Sequence, residues 1–211
     1  MHKVVLCDDA IEVIQLLGKS LREERINVTD IVHSGKTCID LIENGNSPDL
    51  LVLDIRMPEM PGYKVAQYLK KTFPAIKILV FSVLTDYDAV KGMISLGVNG
   101  FAFKNIKPSE LAEIIQKILS GQEYYPPEFL FSTEEIDTIK QQKIPWAEKL
   151  TDKEIQATQL LAYDLSRKQV ASDMGISASS INKKIERVFK KTNQKTTFGV
   201  INFLKKVGMI Q

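Results

Sequence analysis

Asp8, Asp9, Asp54, Ser82 and Lys104 are the residues whose types and order could do chemistry. Each stands in or just after the carboxyl-terminal end of a short run of Val, Ile, Leu or Phe. Three carboxylates gathered in one pocket repel each other unless a cation lies among them, and an oxygen-only donor set with room for water suits a hard divalent ion, naturally Mg2+. Such an ion would screen the carboxylates and offset the charge of an approaching phosphoryl group, which makes Asp54 the nucleophile. An Asp-Asp pair alone is more readily a turn or a helix cap. The five residue types in this order, at four run ends, are what point to chemistry.

These side chains can converge only if the runs are neighbouring strands. Residues 3–8, 27–32, 49–54, 77–83 and 100–104 read as strands, apolar almost throughout. Between them lie stretches with helical spacing, such as Val13, Leu16, Leu17 and Leu21, or Leu111, Ile114, Ile115, Ile118 and Leu119. Near-continuous apolar strands alternating with amphipathic helices indicate an α/β fold, a doubly wound five-stranded parallel sheet buried on both faces. Gly45, Gly97 and Gly121 fall where the second, fourth and fifth helices should end. In open α/β sheets ligands bind beyond the carboxyl ends of the strands, where the strand order reverses. The acidic pair, Asp54, Ser82 and Lys104 all lie on that rim.

The chain continues differently. Residues 122–147 contain Tyr124-Tyr125-Pro126-Pro127 and a polar stretch that reads as a short helix capped by Ser132. Residues 150–210 hold four helical patterns, each entered through a hydroxyl residue. Thr151 with Glu154, and Ser166 with Gln169, have capping-box spacing. Gly175 permits a tight turn before Ser177, which caps the helix running to about Thr192. In that helix Ile181, Ile185 and Val188 share one face, leaving Lys183, Glu186, Arg187 and Lys190 roughly opposite. A helix of this width fits the DNA major groove, with Lys184, Lys191 and Lys195 as backbone anchors. A lone basic helix is more often a solvated surface; the turn before it shifts the balance. In the final helix Val200, Ile201, Phe203, Leu204 and Val207 offer apolar surface that serves either to pair two copies or as core of the same domain.

At 211 residues the chain is long enough for two cores. The longest apolar stretches fall far short of the roughly 20 residues of a membrane span, and no signal-peptide architecture follows Met1. No membrane association and a cytoplasmic location are therefore expected. Cys7 and Cys38 lack metal-site spacing and read as buried free thiols. Residues 1–145 carry 16 Lys and Arg against 20 Asp and Glu, a balance of −4, whereas residues 146–211 carry 12 against 6, a balance of +6. The basic half suits a polyanion.

The motifs Leu6-Cys7-Asp8-Asp9, Leu53-Asp54-Ile55-Arg56-Met57-Pro58, Phe81-Ser82 and Phe101-Ala102-Phe103-Lys104 resemble the receiver domain of response regulators, a flavodoxin-like fold, over about residues 3–121. The resemblance implies that Asp54 is the phospho-acceptor, that Asp9, Asp54 and the Arg56 carbonyl hold Mg2+ with Asp8 acting through water, and that Ser82, Lys104 and Phe101 read the phosphoryl group. Phe101 stands where the family often has tyrosine, so any switch there rests on packing; it is equally well a plain core residue. Arg56 and Leu84 occupy positions that border the path of attacking water in this family. Leu150-Thr151 with Glu154, Val170-Ala171, Gly175-Ile176-Ser177, Ser180-Ile181 and Lys191 resemble the LuxR-type helix-turn-helix of the NarL/FixJ family over residues 150–208. This places Asn182, Lys183, Lys184, Glu186, Arg187, Lys190 and Lys191 at double-stranded DNA. Asp164 departs from the family's usual glycine, Lys184 from a common histidine and Thr192 from a leucine.

The expected organisation is a receiver over residues 1–121, a linker with a short helix over 122–147, and a helix-turn-helix domain over 148–211. The expected function is that of a two-component transcriptional regulator phosphorylated by a sensor histidine kinase and dimeric when phosphorylated. It is not expected to be an enzyme beyond self-phosphoryl transfer and slow autodephosphorylation at Asp54. An aspartyl-phosphate phosphatase would need a second acid where Arg56 stands. A signalling protein whose helical domain binds protein rather than DNA is the remaining alternative.

Overall fold

A computed structural model describes residues 2–142 and 144–210. The chain forms two units, residues 1–142 and 143–211.

In the first unit the apolar runs become β1 (Val4–Cys7), β2 (Val28–Val32), β3 (Leu50–Leu53), β4 (Lys77–Ser82) and β5 (Gly100–Phe103). They form one parallel sheet in the order β2-β1-β3-β4-β5. Every residue of β1, β3 and β5 is buried, as a sheet covered on both faces requires. The covering helices are α1 (Ile11–Glu23), α2 (Gly35–Glu43), α3 (Gly62–Thr72), α4 (Tyr87–Ser95) and α5 (Pro108–Leu119). One core layer joins Ile14 and Leu21 of α1 and Leu111, Ile115 and Ile118 of α5 to the sheet residues Leu6, Val52 and Leu79. Gly45, Gly97 and Gly121 follow α2, α4 and α5 at φ of 92°, 81° and 97°, where a Cβ would be strained. Cys7 and Cys38 are buried free thiols.

The residues after α5 do not leave this unit at once. Tyr124 pairs in parallel with Gly100, a 3-10 turn spans Pro127–Phe129, and α6 (Thr133–Gln141) packs against α4. Residues 122–142, expected to be linker, thus fall within the first unit.

The second unit contains α7 (Pro145–Lys149), α8 (Asp152–Ala162), α9 (Arg167–Asp173), α10 (Ala178–Thr192) and α11 (Thr197–Lys206). The capping boxes at Thr151 and Ser166 are formed, and Ser177 accepts from the Ser180 amide at 3.1 Å. Ala157, Leu161, Val170, Ala171, Ile181 and Ile185 make the core. In the last helix Val200 and Leu204, with Val207 just after it, are buried, and α11 packs on α8 and α10. Most of the apolar face weighed as a pairing surface is therefore core of its own domain. Asp164 takes the left-handed conformation at φ 59° that a glycine would adopt without strain.

Lys191 also differs from expectation. Its ammonium turns inward, 2.6 Å from Glu154 Oε2 and 2.7 Å from the Lys149 carbonyl oxygen, instead of projecting as a backbone anchor. Glu154 is 2% exposed, and it accepts in addition from the Thr151 amide and hydroxyl, both at 2.8 Å. The Glu154 carboxyl lies below its ordinary range: burial pushes it up, but the bonds from Lys191 and Thr151 outweigh that. Removing Lys191 would leave a buried carboxylate without its one cationic partner among those three donors. Lys191→Ala is expected to cost about 2–3 kcal/mol of stability, and adding Glu154→Gln should restore part of the loss. Chemical unfolding of the two variants measures this; equal stability of Lys191→Ala and the native protein would contradict it.

Candidate functional site

Parallel pairing brings the acids together. Cys7 of β1 lies opposite Leu53 of β3, and the Asp54 amide donates to the Cys7 carbonyl oxygen at 2.9 Å, so Asp8 and Asp54 leave the sheet side by side. This is where the strand order reverses between β1 and β3. Asp8 and Asp54 are 3% and 4% exposed, while Asp9 is open to solvent. One carboxylate oxygen from each of the three lies within 4.8 Å of the others.

Lys104, one residue beyond β5, places its ammonium 2.6 Å from Asp8 Oδ2 and 3.1 Å from Asp54 Oδ2. Asp8 Oδ1 accepts from the Ala10 amide at 3.0 Å and Asp54 Oδ1 from the Ile55 amide at 2.8 Å. Ser82 is completely buried at the end of β4, its hydroxyl bonded to Asp54, and its carbonyl oxygen accepts from the Lys104 amide at 3.0 Å. Burial pushes the Asp54 carboxyl above its ordinary range, Asp8 adds to this, and Lys104 and Ser82 only partly offset it. The Lys104 ammonium is itself desolvated, yet the attraction of Asp54 and Asp8 keeps its pKa above the usual lysine value.

The loop after Asp54 is tightly built. Gly62 donates to the Ile55 carbonyl oxygen at 2.9 Å, and a Cβ on Gly62 would stand 2.0 Å from the Asp54 carbonyl oxygen. Gly62 is a positioning residue that the sequence reading missed; its one signal was a glycine directly after Pro61 at a helix start. Arg56 lies exposed in this loop, and Leu84 is buried with its amide 3.5 Å from the Ser82 hydroxyl. Phe101 is wholly buried, edge-on to Phe103 at 5.8 Å. The donor set of Asp8, Asp9 and Asp54, all oxygen and already neutralised in part by an ammonium, has the chemistry a hard divalent cation requires.

In the second unit the outer face of α10 carries Asn182, Lys183, Glu186, Arg187 and Lys190, all exposed, with Lys184 half-buried at its border. Arg167 on α9 was not anticipated: its guanidinium donates to Asn182 Oδ1 at 2.8 Å and to Thr197 Oγ1 at 3.4 Å, tying the start of α10 to α9 and α11. Nothing in the local sequence pattern around Arg167 signals that bond, which spans 15 residues.

Comparison with known proteins gives two family matches. Residues 4–116 match the response regulator receiver domain, and residues 148–203 match the luxR family of bacterial regulatory proteins. The chain is 24% identical to the transcriptional regulatory protein DesR of Bacillus subtilis over 209 residues, covering 99% of this chain and 98% of that one. It is 25% identical to the response regulator protein VraR of Staphylococcus saprophyticus over 191 residues, 90% and 89% of the two chains. Among solved structures, the RcsB response regulator of Salmonella typhimurium is similar at a TM-score of 0.61 and 20% identity, covering 98% of each chain.

Since folding disfavours the charged form of Asp54, its carboxylate costs stability at neutral pH. That cost disappears as pH falls below its unfolded-state value, where both states bind the proton. In chelator at neutral pH, Asp54→Asn is expected to stabilise the first unit by about 1 kcal/mol, or roughly 2–4 °C in Tm. The gain should vanish in acid. A destabilised variant in thermal unfolding at neutral pH would contradict this account of the pocket.

Proposed function

From the premise that this chain belongs to the response regulators, with a receiver domain followed by a luxR-type regulatory domain, we propose that it accepts a phosphoryl group on Asp54 from a sensor histidine kinase and thereby controls its grip on DNA. It is a DNA-binding transcriptional regulator of a two-component system and not a classical enzyme. The observation that carries the acceptor reading is the half-buried ammonium of Lys104 bridging Asp8 and Asp54 beside the Ser82 hydroxyl. The receiver is read as residues 1–121, the connecting segment as 122–147 and the DNA-binding domain as 148–211.

An Asp54 carboxylate oxygen attacks phosphorus as the bond from phosphorus to the donor's imidazole nitrogen breaks, and the imidazole keeps the electron pair and takes up a proton. Asp9, Asp54 and the Arg56 carbonyl, with Asp8 acting through water, would hold Mg2+, which would supply charge neutralisation for two anions brought together. The product carries about 1.5 to 2 negative charges. Lys104 pairs with that charge, the Ser82 hydroxyl donates to a phosphoryl oxygen, and the space Ser82 leaves is taken by packing around Phe101. Arg56 and Leu84 set the lifetime of the phosphoryl group by crowding the approach of water.

In the second unit α10 enters the major groove. Asn182, Lys183 and Glu186 face base edges, while Lys184, Arg187 and Lys190 lie near phosphates. Lys191 is left out of this set because its ammonium holds Glu154. Isologous dimers of the phosphorylated protein suit two-fold half-sites. Among the described residues no helix is long and apolar enough to cross a membrane, in keeping with action in the cytoplasm.

Acetyl phosphate tests the acceptor: its P–O bond to acetate breaks as the bond to Asp54 forms. Intact mass should show one base-labile phosphoryl adduct that is lost in Asp54→Ala and strongly reduced by chelator. Affinity for random DNA fragments should fall by orders of magnitude between low and moderate salt, about six phosphate contacts being released, and Lys183→Ala with Arg187→Ala should weaken it further. No adduct would sink the acceptor reading. Salt-insensitive binding would favour a helical domain that binds protein.

A further inference from the structure

Tyr87 of α4 and Phe103 of β5 form an aromatic face that would otherwise lie open, and the chain covers it with its own residues. Phe129 stands edge-on to Phe103 at 6.1 Å and to Tyr87 at 5.6 Å, and Phe131 stacks on Tyr87 at 5.4 Å. Both ends of the covering segment are fastened. Upstream, the Phe101 amide donates to the Tyr124 carbonyl oxygen at 2.8 Å, and the Tyr125 hydroxyl donates to the Val98 carbonyl oxygen at 2.9 Å. Downstream, Ser132 and Glu135 form a reciprocal cap on α6, Ile139 is buried, and Lys140 pairs with Glu123 at 2.5 Å.

The middle is held less firmly. Phe129 and Phe131 are half-buried, and Tyr87 remains 43% exposed. Although α6 packs on α4, a cleft of about 270 Å³, lined by Tyr87, Lys91, Glu135, Thr138 and Ile139, opens beside their contact. Between the two phenylalanines, Leu130 sits in left-handed conformation at φ 49° and is 85% exposed. Leu130 closes the Pro127–Phe129 turn in that conformation, which costs a residue with a Cβ some backbone strain, and the rings on either side of it both lie against Tyr87. Seating the rings therefore keeps the backbone strained and leaves a leucine in water, and release would relieve the strain.

We propose that residues 126–141 are a clasp that closes the α4–β5 face in the unphosphorylated protein and is released by phosphorylation. The proposal rests on reading Asp54 as the acceptor. The route is short: Ser82 lies opposite Phe103 in the β4–β5 pairing, and Lys104 follows Phe103 directly. Drawing Ser82 and Lys104 toward a new charge moves the strand residue on which Phe129 rests. Because the second unit begins at residue 143, a freed segment lengthens the tether that joins it.

Hydrogen exchange of residues 127–139 in the full-length protein, with intact mass read on the same sample, tests this. Loading by acetyl phosphate and Mg2+ should speed exchange about tenfold. Phe129→Ala with Phe131→Ala should show comparable speed without phosphodonor. Leu130→Asn, which tolerates the left-handed backbone, should slow exchange in the unloaded protein. Added mass with unchanged exchange would overturn the clasp and leave the acceptor standing, as would a double variant that exchanges like the native protein. Absence of added mass in the native protein would overturn both.

Discussion

The ammonium of Lys104 between the carboxylates of Asp8 and Asp54 is the interaction on which the site depends. Two buried carboxylates at adjoining strand ends could not both stay ionised without a cation, because desolvation and mutual repulsion act in the same direction. A lysine is suited to this as a compact charge on a flexible stem: its head can follow the negative charge without loss of a fixed fork geometry. The desolvation of Asp54 persists despite that pairing, so its carboxyl remains raised. The pocket is therefore poised to gain from any further positive charge.

The sheet order makes this arrangement possible. With β1 and β3 adjacent and central, the acids of both emerge next to each other, while β4 and β5 bring Ser82 and Lys104 from one side. Lys104 must therefore reach across from an edge strand, and β5 has one flank unprotected by a further strand. Tyr124 covers part of that flank, and Phe129 packs on Phe103 below it. Edge strands usually need such protection. Here it falls on the strand whose last residue is followed by the lysine of the site.

Much of this was legible from sequence because the signals were local. Apolar runs at parallel-sheet length placed the five strands within a residue or two, while glycines marked the ends of α2, α4 and α5 and hydroxyl caps the starts of α6, α8, α9 and α10. The acids were legible because they end those runs. What was not legible depended on three-dimensional neighbours. Lys191 looked like a surface anchor because helical spacing gives the direction of a side chain but not the presence of Glu154, 37 residues away, beneath it. The face of α11 read equally well as partner surface and as core, since an amphipathic stripe does not name what covers it. Gly62 carries no special φ; its need comes from the Asp54 carbonyl oxygen pressed against it. The polar composition of residues 122–142 suggested a connector, and only the pairing of Tyr124 and the aromatic contacts tie it to the sheet.

A phosphoryl group at this site cannot act at a distance through its charge. Lys104 stands within a few ångströms to compensate it, and the part of its field that reaches solvent is screened over about 8 Å at physiological ionic strength. The signal must then leave as a change of shape, through elements attached to the residues that move. Ser82 and Lys104 belong to β4 and the end of β5, so these strands and α4 between them are the elements a new charge can shift. Packed interiors respond by switching between discrete arrangements instead of deforming smoothly. Phe101, wholly buried, can only repack within the core, whereas Phe129 and Phe131 outside Phe103 are half-buried and border solvent. The side of the first unit least costly to rearrange is thus the one nearest the strand end that Lys104 follows.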